Sequence, residues 1–241
     1  MSATPGFAEI SAYYDEMYVN ENHYREEVQR VVKIVGQYNP SAKTILDIAC
    51  GTGAQAKFLA DHFAVTGLDL SSEMLAVAKE KVPAGQFVTA DMCSFSLGTF
   101  FDAAVNLYGS IGFAEDYNAM KASIKCVYDH LNPGGVFILT PWGTKETFKE
   151  GLVAKGRADN PNGFCRMESV RRVSDHKVQV QMHHLVARNL EISYHRNDSL
   201  ISLFSEAEYR AAIEEAGFVL AARLSEAEFR MGAFVCLKPH S

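Results

Sequence analysis

The apolar pattern changes period along the chain, and each change marks a different kind of structure. Tyr13, Tyr14, Met17 and Tyr18 fall at helical spacing. Val28, Val31, Val32 and Val35 continue an apolar stripe through 24–37, which Asn39-Pro40-Ser41 ends. Short, unbroken runs of β-branched and apolar residues follow at 45–48, 65–68, 87–90, 101–107 and 136–139. Unbroken runs suit strands covered on both faces, as in a parallel sheet. Between them lie helical stretches at 54–63, from Ser71-Ser72-Glu73-Met74 to just before Pro83, and at 116–131, where Asn132-Pro133-Gly134-Gly135 stops the helix. The alternation predicts a doubly wound α/β sheet. It breaks at 143–204, where 165–173, 177–187 and 191–204 are β-rich or alternate with period two. These predict an antiparallel sheet inserted after the fifth strand. Ser205-Glu206-Ala207-Glu208 carries a capping-box pattern, Gly217 ends that helix, and 218–224 and 232–237 would close the main sheet as an antiparallel pair.

Candidate chemistry gathers at the strand ends. The first strand runs into Asp47-Ile48-Ala49-Cys50-Gly51-Thr52-Gly53. Strand, glycine turn and helix form the entry to a nucleotide site, and Gly51 and Gly53 let backbone approach a ligand. Asp47, Asp69 and Asp91 are spaced 22 residues apart, so a regular βα unit puts each at the carboxyl end of a successive strand. Asp69, flanked by Leu70, can take two ribose hydroxyls, because a carboxylate has two acceptor oxygens. Asp91, followed by Met92, can accept from the adenine amine. Met74 belongs either to the adenine face or to the core. Together these residues suit an adenosine with no phosphate clamp. The loop Tyr108-Gly109-Ser110-Ile111-Gly112-Phe113 leaves the fourth strand, and Trp142, the only tryptophan, leaves the fifth.

Composition narrows the class. The charged share is 22% and the hydrophobic share 48% of 241 residues, ordinary for a globular protein of one large domain or one domain with an insertion. A net charge of −6 argues against a nucleic-acid or anionic-membrane surface. No apolar run reaches the ~20 residues of a membrane span. Five scattered cysteines form no C-x-x-C pair, so a disulfide framework and a zinc ribbon are not indicated, and a reducing cytoplasm is expected. His183 and His184 are adjacent, which in a strand sends them to opposite faces; no metal site is expected.

An acid before Gly-x-Gly, followed by acids ending the second and third strands, resembles the class I S-adenosylmethionine (SAM)-dependent methyltransferases. The likeness extends over nearly the whole chain to the TDP-3-amino-sugar N,N-dimethyltransferases. It rests on Tyr14-Asp15-x-x-Tyr18 with Tyr24, on Leu46–Gly53, on Asp91-Met92, and on Pro141-Trp142. Arg166, Leu200-Ile201-x-Leu203-Phe204 and Arg230-x-Gly232-x-Phe234 continue it. The resemblance implies a Rossmann-like class I core with SAM as cofactor. Residues 1–43 would be a helical lid, 44–142 the SAM-binding core, 143–204 a sheet for substrate or dimer contacts, and 205–241 the end of the core. It implies that Tyr14, Ala49 and Gly51 meet SAM, that Asp69 takes the ribose, and that Asp91 and Met92 hold the adenine. Tyr24 and the Leu107 carbonyl would hold the amino-acid end. Tyr18 would sit beside the substrate amine, with Phe113, Trp142, Arg166, His183 and Arg230 around the sugar and diphosphate. The chain departs from that family at Phe113 and Gly143, both expected beside the sugar.

The expected partner is a small-molecule acceptor, a nucleotide-linked amino sugar in the first instance, and the inserted sheet offers edges for a homodimer. Three alternatives stay open: another amine or natural-product acceptor, a nicotinamide-dependent oxidoreductase using the same glycines, and a non-catalytic SAM-binding protein.

Overall fold

A computed structural model describes residues 7–18 and 20–240. Helices α1 (Phe7–Tyr18) and α2 (Glu21–Tyr38) precede β1 (Thr44–Ile48). Then come α3 (Ala56–Leu59), β2 (Ala64–Asp69), α4 (Ser72–Lys81), β3 (Gln86–Thr89), β4 (Phe101–Asn106), α5 (Tyr117–Asp129) and β5 (Leu131–Leu139). Strands β6 (Gly151–Asp159), β7 (Asn162–Ser174), β8 (Lys177–Arg188) and β9 (Glu191–Ser202) are followed by α6 (Glu206–Ala216), β10 (Val219–Leu224) and β11 (Ala233–Leu237).

The main sheet has the order β10-β11-β5-β4-β1-β2-β3. Strands β1 to β5 run parallel, and β11 is antiparallel to both β5 and β10. The alternating faces of β1 explain the double winding. Ile45 packs with Val28, Val31 and Val35 of α2, while Leu46 and Ile48 pack with Met120, Ile124 and Val127 of α5. The chain fills one side of β1 with β2 and β3, then crosses to β4 on the other. The crevice at the carboxyl ends of β1 and β4 is therefore a topological switch point, where open α/β sheets bind ligands.

The four strands after β5 form a separate antiparallel sheet, β6-β7-β8-β9. Its inner face carries Val178, Val180, Met182 and Ile201, which pack with Tyr18, Phe113 and Trp142. Helix α1 lies between the sheets. Ile10 and Met17 pack with Val186 of β8. Asp15 accepts from Thr52 and pairs with Lys81 on the core side, and Glu16 pairs with Arg188 at 2.7 Å on the inserted-sheet side.

The structure differs from the sequence reading most at β6, α3 and β5. Strand β6 was not expected: all nine of its residues are exposed, so burial imposes no alternation on them. The helix expected over 54–63 is regular only at Ala56–Leu59. Helix α5 stops at Asp129, and β5 begins at Leu131, running through Asn132-Pro133-Gly134-Gly135 rather than after it. His130 stabilises that break, since its ring meets the Cys126 carbonyl at 2.7 Å and accepts from the Leu97 amide at 3.0 Å. Among the described residues no helix is long and apolar enough to cross a membrane.

Candidate active site

The loops that leave β1 and β4 are held in unusual conformations. Five described non-glycine residues have positive φ, and three of them, Ala49, Tyr108 and Met231, line one cleft. Such conformations cost about 1–3 kcal/mol each and concentrate at functional sites. Buried Asn106 at the end of β4 supports the second loop by accepting from the Ile111 amide at 3.0 Å. Gly109 has φ +72°, and a Cβ there would come within 2.2 Å of the Trp142 Cα. Only glycine lets the β4 and β5 loops approach so closely.

The cleft has two ends, both bordered by Tyr14, Ala49, Gly51, Ser110 and Phe113. At the first end, of about 170 Å3, Asp69, Leu70, Met74, Asp91 and Met92 meet. Asp69 is pinned by the Gly51 and Ser71 amides, each at 2.9 Å, one to each carboxylate oxygen. A carboxylate has about four lone-pair sites, so acceptor capacity remains. Burial raises the Asp69 pKa, and the backbone amides of Ser71, Gly51 and Leu70 oppose the rise. Asp91 accepts from the Cys93 amide at 2.8 Å. Met74 is both buried and part of the wall, so the two readings of it coincide. Gly51 has φ +55°, and a Cβ there would meet nothing within 4 Å, which leaves an open cradle at the floor. Two acids, apolar walls and a backbone cradle together are what the adenosine of SAM would need.

Asp47 and Gly53 line neither end. Gly53 packs under α4, where a Cβ would press on Ala78 at 3.0 Å. Asp47 lies buried in β1, with one carboxylate oxygen lacking a hydrogen-bond partner. Burial, with Asp69 nearby, pushes its pKa up to about 7.

The second end is larger, about 360 Å3, and takes residues from α1, α2, the inserted sheet and the β10–β11 connection. Tyr24 stacks on Tyr108 with centroids 4.7 Å apart. Leu107 borders the cleft, and its carbonyl accepts from the Ser110 hydroxyl at 3.2 Å. Tyr14 and Tyr18, one turn apart, stack at 4.6 Å. Trp142 stacks on Phe148, and exposed Arg230 lies 5.4 Å from the Tyr108 ring. Arg166 reaches the wall, with its guanidinium 4.1 Å from the Tyr18 centroid and its Nε 3.2 Å from Glu168 Oε1.

His183 requires a correction. It is exposed on the outer face of the inserted sheet, 2.6 Å from the Tyr194 hydroxyl, and lines neither end. The next residue, His184, points inward and meets the Tyr18 hydroxyl at 2.7 Å. Residue order alone did not reveal His184, Glu168, Met182 or Asn106. The alternation of Val178, Val180, Met182 and Val186 does give the parity of β8, and it puts position 184 inside. Among the described residues no cluster could hold a metal ion.

A model of the methyltransferase domain matches residues 45–135. The dTDP-3-amino-3,4,6-trideoxy-alpha-D-glucopyranose N,N-dimethyltransferase of Streptomyces venezuelae is 34% identical over 209 residues, 85% of this chain and 87% of the relative. The crystal structure of Streptomyces venezuelae DesVI superposes with a TM-score of 0.88 at 30% identity, covering 95% of this chain and 98% of that one. SAM-bound CalS10, an amino pentose methyltransferase of Micromonospora echinaspora, gives 0.81 at 29% identity over 89% and 91%. With this fold and these relatives, the chain belongs to the class I SAM-dependent methyltransferases, in the family of the dTDP-amino-sugar N,N-dimethyltransferases.

Proposed function

We propose that the chain methylates the amine of a nucleotide-linked amino sugar. The observation that carries this reading is the pairing of the Tyr18 hydroxyl with Glu168, 3.0 Å apart, at the second end of a cleft whose first end suits adenosine. A hydroxyl whose own proton is taken by a carboxylate keeps an oxygen lone pair that can accept an amine N–H. Bound SAM supplies a methyl already activated by its sulfonium. The protein's task is then alignment and exclusion of water. Tyr18 orients the amine. Phe113 and Trp142 cover the sugar, and Arg230 at the rim takes the diphosphate, whose geometry suits a guanidinium. Tyr14 divides the two ends and covers the cofactor. The five free thiols fit work in a reducing cytoplasm.

Mass spectrometry tests the acceptor. The enzyme and SAM are given nucleotide-linked 3- and 4-amino sugars, free amines and small phenols. Mass gain on an amino sugar is the expected result, and Phe113, which borders the cleft while Gly143 does not, makes the amine's ring position the first comparison. Gain on the other acceptors alone would remove the sugar and keep the methyltransferase.

We infer also that two copies pair through the outer face of the inserted sheet. Leu185 and Tyr194, opposite one another there, are 46% and 57% exposed, and Ile192 beside them is 72% exposed. Light scattering should give twice the mass of one chain, and Leu185→Glu with Ile192→Glu should give one.

A further inference from the structure

The Tyr18 hydroxyl touches three groups of the inserted sheet: Glu168 Oε1 at 3.0 Å, His184 Nε2 at 2.7 Å and Met182 Sδ at 3.3 Å. Glu168 and Met182 border the cleft. His184 is fully buried behind it. A phenol has one proton and two acceptor sites, whereas a carboxylate and a thioether only accept. Burial, together with the Arg166 charge, brings the His184 pKa down to about 4, so at neutral pH the ring carries one N–H. If that proton is on Nε2, it is donated to Tyr18, and the Tyr18 proton goes to Glu168. If it is on Nδ1, Nε2 is a second acceptor beside Glu168, and the one Tyr18 proton goes to one of the two. In either tautomer the Tyr18 proton has its acceptor on the sheet side.

The direction of that proton matters for amine chemistry. A neutral amine attacks through its lone pair. A hydroxyl free to rotate would donate into the same lone pair and compete with the attack. We propose that Glu168 and His184 are positioning residues that hold the Tyr18 proton on the inserted sheet, so that the Tyr18 oxygen accepts an N–H of the substrate and leaves the nitrogen lone pair exposed. This rests on the amine-methylation reading above. It also gives the site a stopping rule. Primary and secondary amines have an N–H to offer, while a neutral tertiary amine has none. The grip is lost with the second methyl, and no third is added.

Two measurements test this. In NMR of the SAM-loaded enzyme, a slowly exchanging hydroxyl proton should show contacts to the Met182 methyl and disappear in Tyr18→Phe. Absence of a protected hydroxyl proton in the wild type would overturn the proposal, whatever the acceptor. The second compares turnover of wild type, Tyr18→Phe, Glu168→Gln and the double variant, with SAM affinity as a control. Each single change should lower kcat about tenfold, the equivalent of one hydrogen bond, without changing SAM affinity. The double variant should be no slower than Tyr18→Phe, because Glu168 acts through the hydroxyl. Multiplicative losses would contradict the positioning role. A protected proton without turnover of any amino sugar would support the hydrogen-bond direction and count against the sugar instead.

Discussion

The two ends of the cleft are built from different material. At the first, residues from three adjacent strand ends meet: Ala49 and Gly51 after β1, Asp69 to Ser71 at β2, and Ala90 to Met92 after β3. Backbone amides fix Asp69 there. At the second, side chains far apart in sequence meet: Tyr18 bonds Glu168 and Met182 across 150 and 164 residues. Strand ends of a parallel sheet are a rigid platform. A wall made by α1 and an inserted sheet can change without disturbing it. The two ends should therefore fail separately when mutated.

Asp69→Ala gives the largest expected effect. Losing two hydrogen bonds to a charged group should weaken SAM about a thousandfold, or about 4 kcal/mol, by calorimetry. Trp142→Ala, at the other end, should leave SAM affinity intact; an equal loss there would break the division.

Gly109→Ala should follow. Left-handed backbone and the clash with Trp142 predict a loss of about 2–4 kcal/mol in denaturant unfolding, because this loop joins the two ends.

The effect of Asp47→Asn should depend on pH. Asp47 ionises near pH 4 in the unfolded chain and at about 7 in the fold. Between these values the native state holds a proton that the unfolded state has released, so stability falls as pH rises from about 4 to about 7, then levels. Asparagine should remove that slope and raise the stability of the SAM-free protein by about 2–4 kcal/mol at pH 8, with no gain at pH 4. A wild-type curve without the slope would contradict the buried acid.

His183→Ala is the smallest. Exposed on the outer face of the single chain, it should change unfolding of the Leu185→Glu, Ile192→Glu monomer by no more than about 0.5 kcal/mol and leave turnover unchanged.

The same division explains what could be read from sequence. The main-sheet strands and the acids at 47, 69 and 91 were legible because each unit is contiguous and its spacing follows from βα geometry. Strand β6 was hidden because no face of it is buried. The His183–His184 choice was decidable from Val178, Val180, Met182 and Val186, but Leu185, apolar on the outer face, blurs the alternation. Glu168 had no local signal. It becomes significant only when folding brings α1 against β7 and β8, and no spacing within the chain encodes that contact.

The most direct test is a time course of product mass with SAM and a nucleotide-linked 3-amino sugar. One methyl increment, then a second, and no third are expected. A third methyl would contradict the N–H grip at Tyr18, and no increment on any amino sugar while SAM binds would contradict the acceptor.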